Sequence, residues 1–263
     1  MSVFKLVRIT VLLSILLVVL VSTCMNERRL ASWQQSVWVT VYPIVADQDA
    51  VTQAYVSGLD EASFDEINQF FERDLQLYGV SLSPAVHFQL APLSREIPPA
   101  IPDRHSPVAI AVWSLKMRWW SWRMQRKDGL SAPDIQMFVL FHTLGGKSEM
   151  NMSVGMRKGM YGLVKAYAGN NMNSYNQIVI AHELLHILGA TDKYVFSTGD
   201  PEFPFGYAAP RQRPLFPQTQ AEIMGGRIPL SSFESEVPDS LAQCRIGQKT
   251  AEEIGLLARL VDN

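Results

Sequence analysis

The sequence predicts one mixed α+β domain behind a short N-terminal membrane segment. Three observations carry that prediction. Apolar residues recur at helical spacing in some segments and at every second position in others, and the two patterns interleave along the chain. No internal repeat is present, which removes solenoids and propellers. With residues 1–30 set aside as a signal anchor or signal peptide, residues 31–263 suit one large core better than two small ones.

The elements follow in order. "MSVFKLVR" is short and basic, and the 17 residues from Ile9 to Met25 carry no charge. At about 1.5 Å per residue they reach roughly 26 Å, marginal against a hydrocarbon core of about 30 Å. A retained anchor is the favoured reading. Val21, Ser22 and Thr23 make a poor signal-peptidase site, yet a cleaved signal peptide stays open, as does a lipoprotein, because "LVSTC" resembles a lipobox ending at Cys24. Lys5 and Arg8 favour the N-terminus inside, so the bulk of the chain is expected outside the cytoplasm, periplasmic or extracellular.

"SVWVTVYPIV" (36–45) alternates and is rich in β-branched and aromatic residues, so it reads as a strand. In "SFDEINQFFERDLQLYG" (63–79), Ser63 and Glu66 suggest a capping box, and Phe64, Ile67, Phe71, Leu75 and Tyr78 fall at helical spacing before Gly79. A short strand is expected at 85–91, then a proline-rich link. Residues 108–127 predict a helix from Trp113, Met117, Trp120 and Met124. Strands are expected at 134–143 and 162–168. Ser174 and Gln177 suggest the cap of the next helix, and Thr250 with Glu253 the cap of a last one over 251–261.

Charge is almost balanced, 23 Lys and Arg against 25 Asp and Glu, and no basic arm is present, so nucleic acid is not an expected partner. Two cysteines, Cys24 and Cys244, build neither a disulfide framework nor a cysteine-based zinc cluster.

The chemistry concentrates in "AHELLHILGATDKY" (181–194). On a helix, His182 and His186 stand one turn apart on the same face, so both imidazoles can reach one ion. Glu183 adjoins the first histidine and can meet a water there without being a ligand. Gly189 can take the left-handed conformation that ends the helix and turns the chain back, which would bring Asp192 round as a third ligand. Glu202 and Glu222 are rival third ligands. A bare HExxH occurs by chance in a chain this long at a rate on the order of one per cent, and fixing Gly189 and Asp192 lowers that by a further factor of hundreds. The plainer alternative, an amphipathic helix with two surface histidines, sits badly with the apolar residues at 178, 180, 184, 185, 187 and 188. The other histidines, His87, His105 and His142, read as ordinary surface or core residues.

"HELLHILGATD" resembles the extended HExxHxxGxx signature, closed by His or Asp, of the metzincin metallopeptidases, and its Asp-ended form is similar to that of the snapalysins. The resemblance implies a mixed sheet with flanking helices, a zinc helix, a methionine-containing turn beneath the metal and a C-terminal helix. It implies Zn2+ on His182, His186 and Asp192, with Glu183 as general base. "EIMGGR" (222–227) then supplies Met224 for the turn. The implied activity is hydrolysis of peptide bonds in a peptide or protein substrate, bound along a sheet edge for which residues 162–168 are the candidate. The proline-rich span from Lys193 to Pro229 corresponds to the wall of the substrate pocket. The alternative is a catalytically silent, zinc-stabilised module that binds peptides or a membrane. The oligomeric state is not legible.

"KMRWWSWRMQRK" (116–127) holds five cations and three tryptophans. It could lie in a membrane interface. The favoured reading places Trp113, Trp120 and the methionines in the core, with the arginines covering the outside.

Overall fold

A computed structural model of the chain describes residues 3–47, 49–102, 106–145 and 153–257. Its centre is a five-stranded sheet in the order β2-β1-β3-β5-β4. These are β1 (Val37–Val45), β2 (Val86–Leu90), β3 (Ile135–His142), β4 (Val154–Met156) and β5 (Tyr161–Tyr167). All pairings are parallel except β4 with β5. The reason for parallel pairing lies in the connections. Helices α2 (Ala50–Ser57) and α3 (Asp65–Gln76) join β1 to β2, and α4 (Pro107–Asp128) joins β2 to β3. Crossovers of that length return the chain in the same direction. The α+β expectation is therefore corrected to a mixed α/β arrangement around a mostly parallel sheet.

The sheet is apolar on both faces because helices cover both. On one face, Val39 and Val41 of β1, Met137 and Val139 of β3 and Val164 of β5 join Ile67, Phe71 and Leu75 of α3. The same cluster takes Ile180, Leu184, Leu185 and Ile187 of α5 (Asn173–Leu188). On the other face, Tyr42, Phe138 and Leu163 meet Trp113, Met117, Trp120 and Met124 of α4. Each fully buried side chain of this size contributes about 1.5–3 kcal/mol. That burial, rather than helix propensity, holds α4 and α5 against the sheet.

A second correction concerns the N-terminus. Among the described residues no helix is long and apolar enough to cross a membrane, so the expected N-terminal membrane segment is not supported. The stretch forms α1 (Val3–Ser32), whose last turns belong to the domain. Leu30 and the following Trp33 are buried, and the Trp33 indole donates to the Ile254 carbonyl at 2.8 Å. Glu27 pairs with Arg157 at 3.4 Å, and Arg29 with Asp134. The 17-residue apolar run is shorter than a bilayer core, and the charged turn after it is spent on contacts with the protein.

Local signals differ from the expected ones at three helix starts. The capping box is Asp60 with Ser63, on a 3-10 turn (Glu61–Phe64) before α3, not Ser63 with Glu66. No side chain caps α5 at its N-terminus. The last helix, α6, runs Gln248–Glu253 behind Gly247, and Thr250 is buried inside it. Residues 258–261 of the expected span lie outside the described residues.

The segment between α5 and α6 has little regular structure: β6 (Ala221–Glu222) pairs with β9 (Cys244–Arg245), and β7 (Ile228–Pro229) with β8 (Ser235–Glu236). Side chains organise the rest. The buried Gln218 amide bonds Ala209 through both backbone groups, at 2.9 and 3.1 Å, and donates to Leu215 at 2.8 Å. Glu222 is fully buried and accepts from Gly225, Gly247 and Thr250.

Candidate metal centre

Helix α5 carries His182, Glu183 and His186 on its last turns and ends at Gly189, whose φ is 119°. A Cβ there would lie 2.8 Å from the Arg157 guanidinium, a flexible group that can move aside, so it is the left-handed conformation that calls for glycine. The chain then reverses as anticipated and brings Asp192 back to the histidines. Asp192 Oδ1 lies 3.2 Å from His182 Nε2 and 3.1 Å from His186 Nε2. Among the described residues, these three form a group whose ligand atoms, all within 4.8 Å of one another, could hold a metal ion. The two imidazoles stand nearly perpendicular, with centroids 4.7 Å apart.

The proton positions are decided by the other ring nitrogens. His182 Nδ1 is 3.0 Å from the Ile223 carbonyl, and His186 Nδ1 is 2.9 Å from the Ala190 carbonyl. A carbonyl only accepts, so each Nδ1 carries a hydrogen, and in the neutral rings both Nε2 lone pairs face the carboxylate. Three acceptors pointed at one another repel unless a proton or a metal ion lies among them. A tetrahedral zinc site with bonds of about 2.0–2.1 Å has ligand-to-ligand edges of about 3.3–3.4 Å, close to the 3.1 and 3.2 Å observed here. The donor set and the carbonyls behind it therefore fit zinc.

Charge follows the same geometry. Burial alone would raise the Asp192 pKa, but without a metal the two rings, once protonated at Nε2 as well, donate to its carboxylate and hold it well below the usual carboxylate range. For His186, burial works to lower the pKa, while the hydrogen bonds to Asp192 and Ala190 outweigh it and leave it raised. Glu183 is 6% exposed and does not belong to the cluster. Burial raises its pKa, opposed by the two histidines and the Gly155 amide. Its Oε2 is buried without a hydrogen-bond partner. A carboxylate oxygen in that state next to three ligands is placed to receive a proton.

The rival ligands do not converge on the site. Glu222 spends both oxygens on backbone amides and on Thr250, and burial raises its pKa. Glu202 lies outside the cluster. Met224 is fully buried in the core that also holds Leu184 and Leu185. Its turn reaches the centre through the preceding residue, since the Ile223 carbonyl orients His182. His87 lies against Trp38 in a tilted arrangement with centroids 4.0 Å apart, and His142 is buried on β3. His105 lies outside the described residues.

Three features of the site were not read from the sequence. The sheet edge beside it is β4, whereas the candidate strand at 162–168 is interior, paired with β3 and β4. A Cβ on Gly155 of β4 would meet the Glu183 carbonyl at 2.5 Å and His186 Cβ at 2.7 Å, so glycine lets this edge lie directly on α5. Tyr194 lines a cleft of about 310 Å³ with Ile178, Val179, His182 and Ile223. Burial raises its pKa, and the Asp192 and Glu183 carboxylates raise it further. Its position two residues after Asp192 was the available signal.

The third feature is a clamp on the loop that carries Asp192. Glu253 of α6 accepts from the Thr191 amide and hydroxyl, both at 2.9 Å. It also accepts from Lys193 at 2.8 Å, and Lys193 in turn donates to the Thr191 carbonyl at 2.8 Å. The residues on both sides of Asp192 are thus tied to one carboxylate. Comparison with protein-family models and with curated proteins finds no match to this chain.

Proposed function

We propose that the chain is a zinc-dependent endopeptidase of the metzincin type. The observation that carries the reading is the convergence of two Nε2 lone pairs and one carboxylate on a single point, with each Nδ1 tied to a carbonyl. A zinc ion held there would supply Lewis acidity, lowering the pKa of water toward about 7 and polarising a peptide carbonyl. The protein's own part begins with Glu183, whose free oxygen takes the proton from the attacking water and then delivers it to the leaving amine. Its raised pKa suits both halves of that transfer. The Ile223 and Ala190 carbonyls keep the imidazoles in one tautomer throughout. An extended peptide fits along β4, the edge nearest the site, through main-chain hydrogen bonds. The span after Asp192 contributes Tyr194 and Ile223 to the cleft wall.

Glu183→Gln tests the reading. The variant is expected to keep its metal and its melting temperature while peptidase turnover falls by several orders of magnitude, because the base is lost and the ligands are not. Equal inactivity of parent and variant on a broad peptide library would favour the zinc-stabilised binding module instead.

A further inference from the structure

We propose that α4 is a docking helix that lays the domain on an anionic phospholipid surface. The face of α4 turned away from the sheet is apolar. Val108 is 74% exposed, Val112 46%, Leu115 68%, Trp119 60% and Trp122 50%. Their offsets are four, three, four and three, so they form one stripe, about 21 Å long at about 1.5 Å per residue. At 3.6 residues per turn this stripe lies opposite the buried row of Trp113, Met117, Trp120 and Met124. The buried half of the helix matches the sequence reading. The outer half matches only in part: Arg123 and Arg126 lie over the Trp119 and Trp122 rings, yet both indoles stay half exposed or more, and Val108, Val112 and Leu115 are exposed beside them.

Charge names the occupant. Lys116, Arg123 and Lys127 run along one border of the stripe, Arg118 lies on the other, and Arg126 closes its C-terminal end, against the single acid Asp128 on this helix. The whole chain has a net charge of −2, so this is a local concentration of cations. The Arg123 guanidinium lies 5.3 Å over the Trp119 ring and that of Arg126 4.7 Å over Trp122. Each pair presents an indole and a cation side by side, the arrangement that meets acyl chains and phosphates at a bilayer surface. Arg123 and Lys127 share Glu96, which leaves Lys116 and Arg126 without a carboxylate among the described residues. A second copy of the chain fits poorly, since pairing this face with itself would oppose the same cations. The metal-binding helix packs on the other face of the sheet, so docking through α4 leaves it turned to water.

The test uses the full chain and vesicles of phosphatidylcholine with and without phosphatidylglycerol. Binding is expected to the anionic vesicles, weakened by salt. Trp119→Ser with Trp122→Ser should lower the partition coefficient at least about tenfold, with an unchanged melting curve because both side chains are exposed. Lys116→Glu with Arg126→Glu should abolish the preference for phosphatidylglycerol. Anionic-vesicle binding that both double variants leave unchanged would overturn the proposal. So would a concentration-dependent dimer that the tryptophan variant alone disperses, which would make the stripe a contact between copies.

Discussion

Glu253 is 17% exposed at its side chain and Lys193 only 4%, and their ion pair holds the loop that presents Asp192. Replacing Glu253 by Ala leaves a buried ammonium without its carboxylate and strips Thr191 of two hydrogen bonds. Breaking a fully buried pair costs about 3–5 kcal/mol. Because Glu253 still reaches water, about 2–3 kcal/mol is the better figure. For a domain of this size that corresponds to a melting temperature lower by about 4–12 °C in the zinc-free protein. Zinc affinity should fall about 10–100-fold, the usual effect of losing support behind a ligand. Adding Lys193→Met should recover much of the stability by removing the stranded charge, but not the zinc affinity, since Thr191 stays unheld. Burial works to raise the Glu253 pKa, yet Lys193 and Thr191 hold it below the usual glutamate value. Its contribution is therefore present above that usual value and lost as pH falls through the lower folded one, so parent and Glu253→Ala should converge in acid. Calorimetry and competitive zinc titration decide the matter. A variant with unchanged melting temperature and unchanged zinc affinity would refute the clamp.

The other predictions concern the centre itself. Asp192→Ala should weaken zinc binding by more than the 10–100-fold of a supporting residue, whereas Asp192→His should retain much of the metal and shift the pH profile of activity to lower values; isothermal titration and rate profiles report both. In the zinc-free protein the His186 pKa is raised, so protons compete from a pH above the ordinary histidine value. Zinc affinity should accordingly start to drop on acidification above the ordinary histidine value and keep falling below it, and an affinity independent of pH would contradict this. Gly155→Ala should cost about 1–3 kcal/mol and lower peptidase activity, because the new Cβ would press on the Glu183 carbonyl and His186; thermal melts and peptide cleavage measure it.

The strongly patterned elements were legible from sequence. Strands β1, β2, β3 and β5 and helices α4 and α5 lie where alternation and helical spacing predict them. The reversal at Gly189 was legible too, because it depends on a backbone conformation that glycine adopts at no cost. What escaped has weak local signals. Helix α2 buries only Thr52 and Val56 and leaves Val51 exposed, so its periodicity is faint, and Asp49 at its cap was the better clue. Strand β4 is three residues long, and its importance comes from Gly155 meeting α5 across the sheet edge, a long-range contact. Thr250 was read as a cap but serves Glu222, and Glu66 accepts from the Leu241 amide. Both uses depend on segments far apart in the chain. The apolar run near the N-terminus misled because hydrophobic content was legible there and the docking of Leu30 and Trp33 was not.

The central claim is that His182, His186 and Asp192 hold one zinc ion. Metal analysis of the purified full chain after dialysis tests it most directly. The account predicts close to one zinc per chain, lost in His182→Ala and in His186→Ala while the fold persists. A folded parent protein that neither retains zinc nor binds it on titration would contradict it.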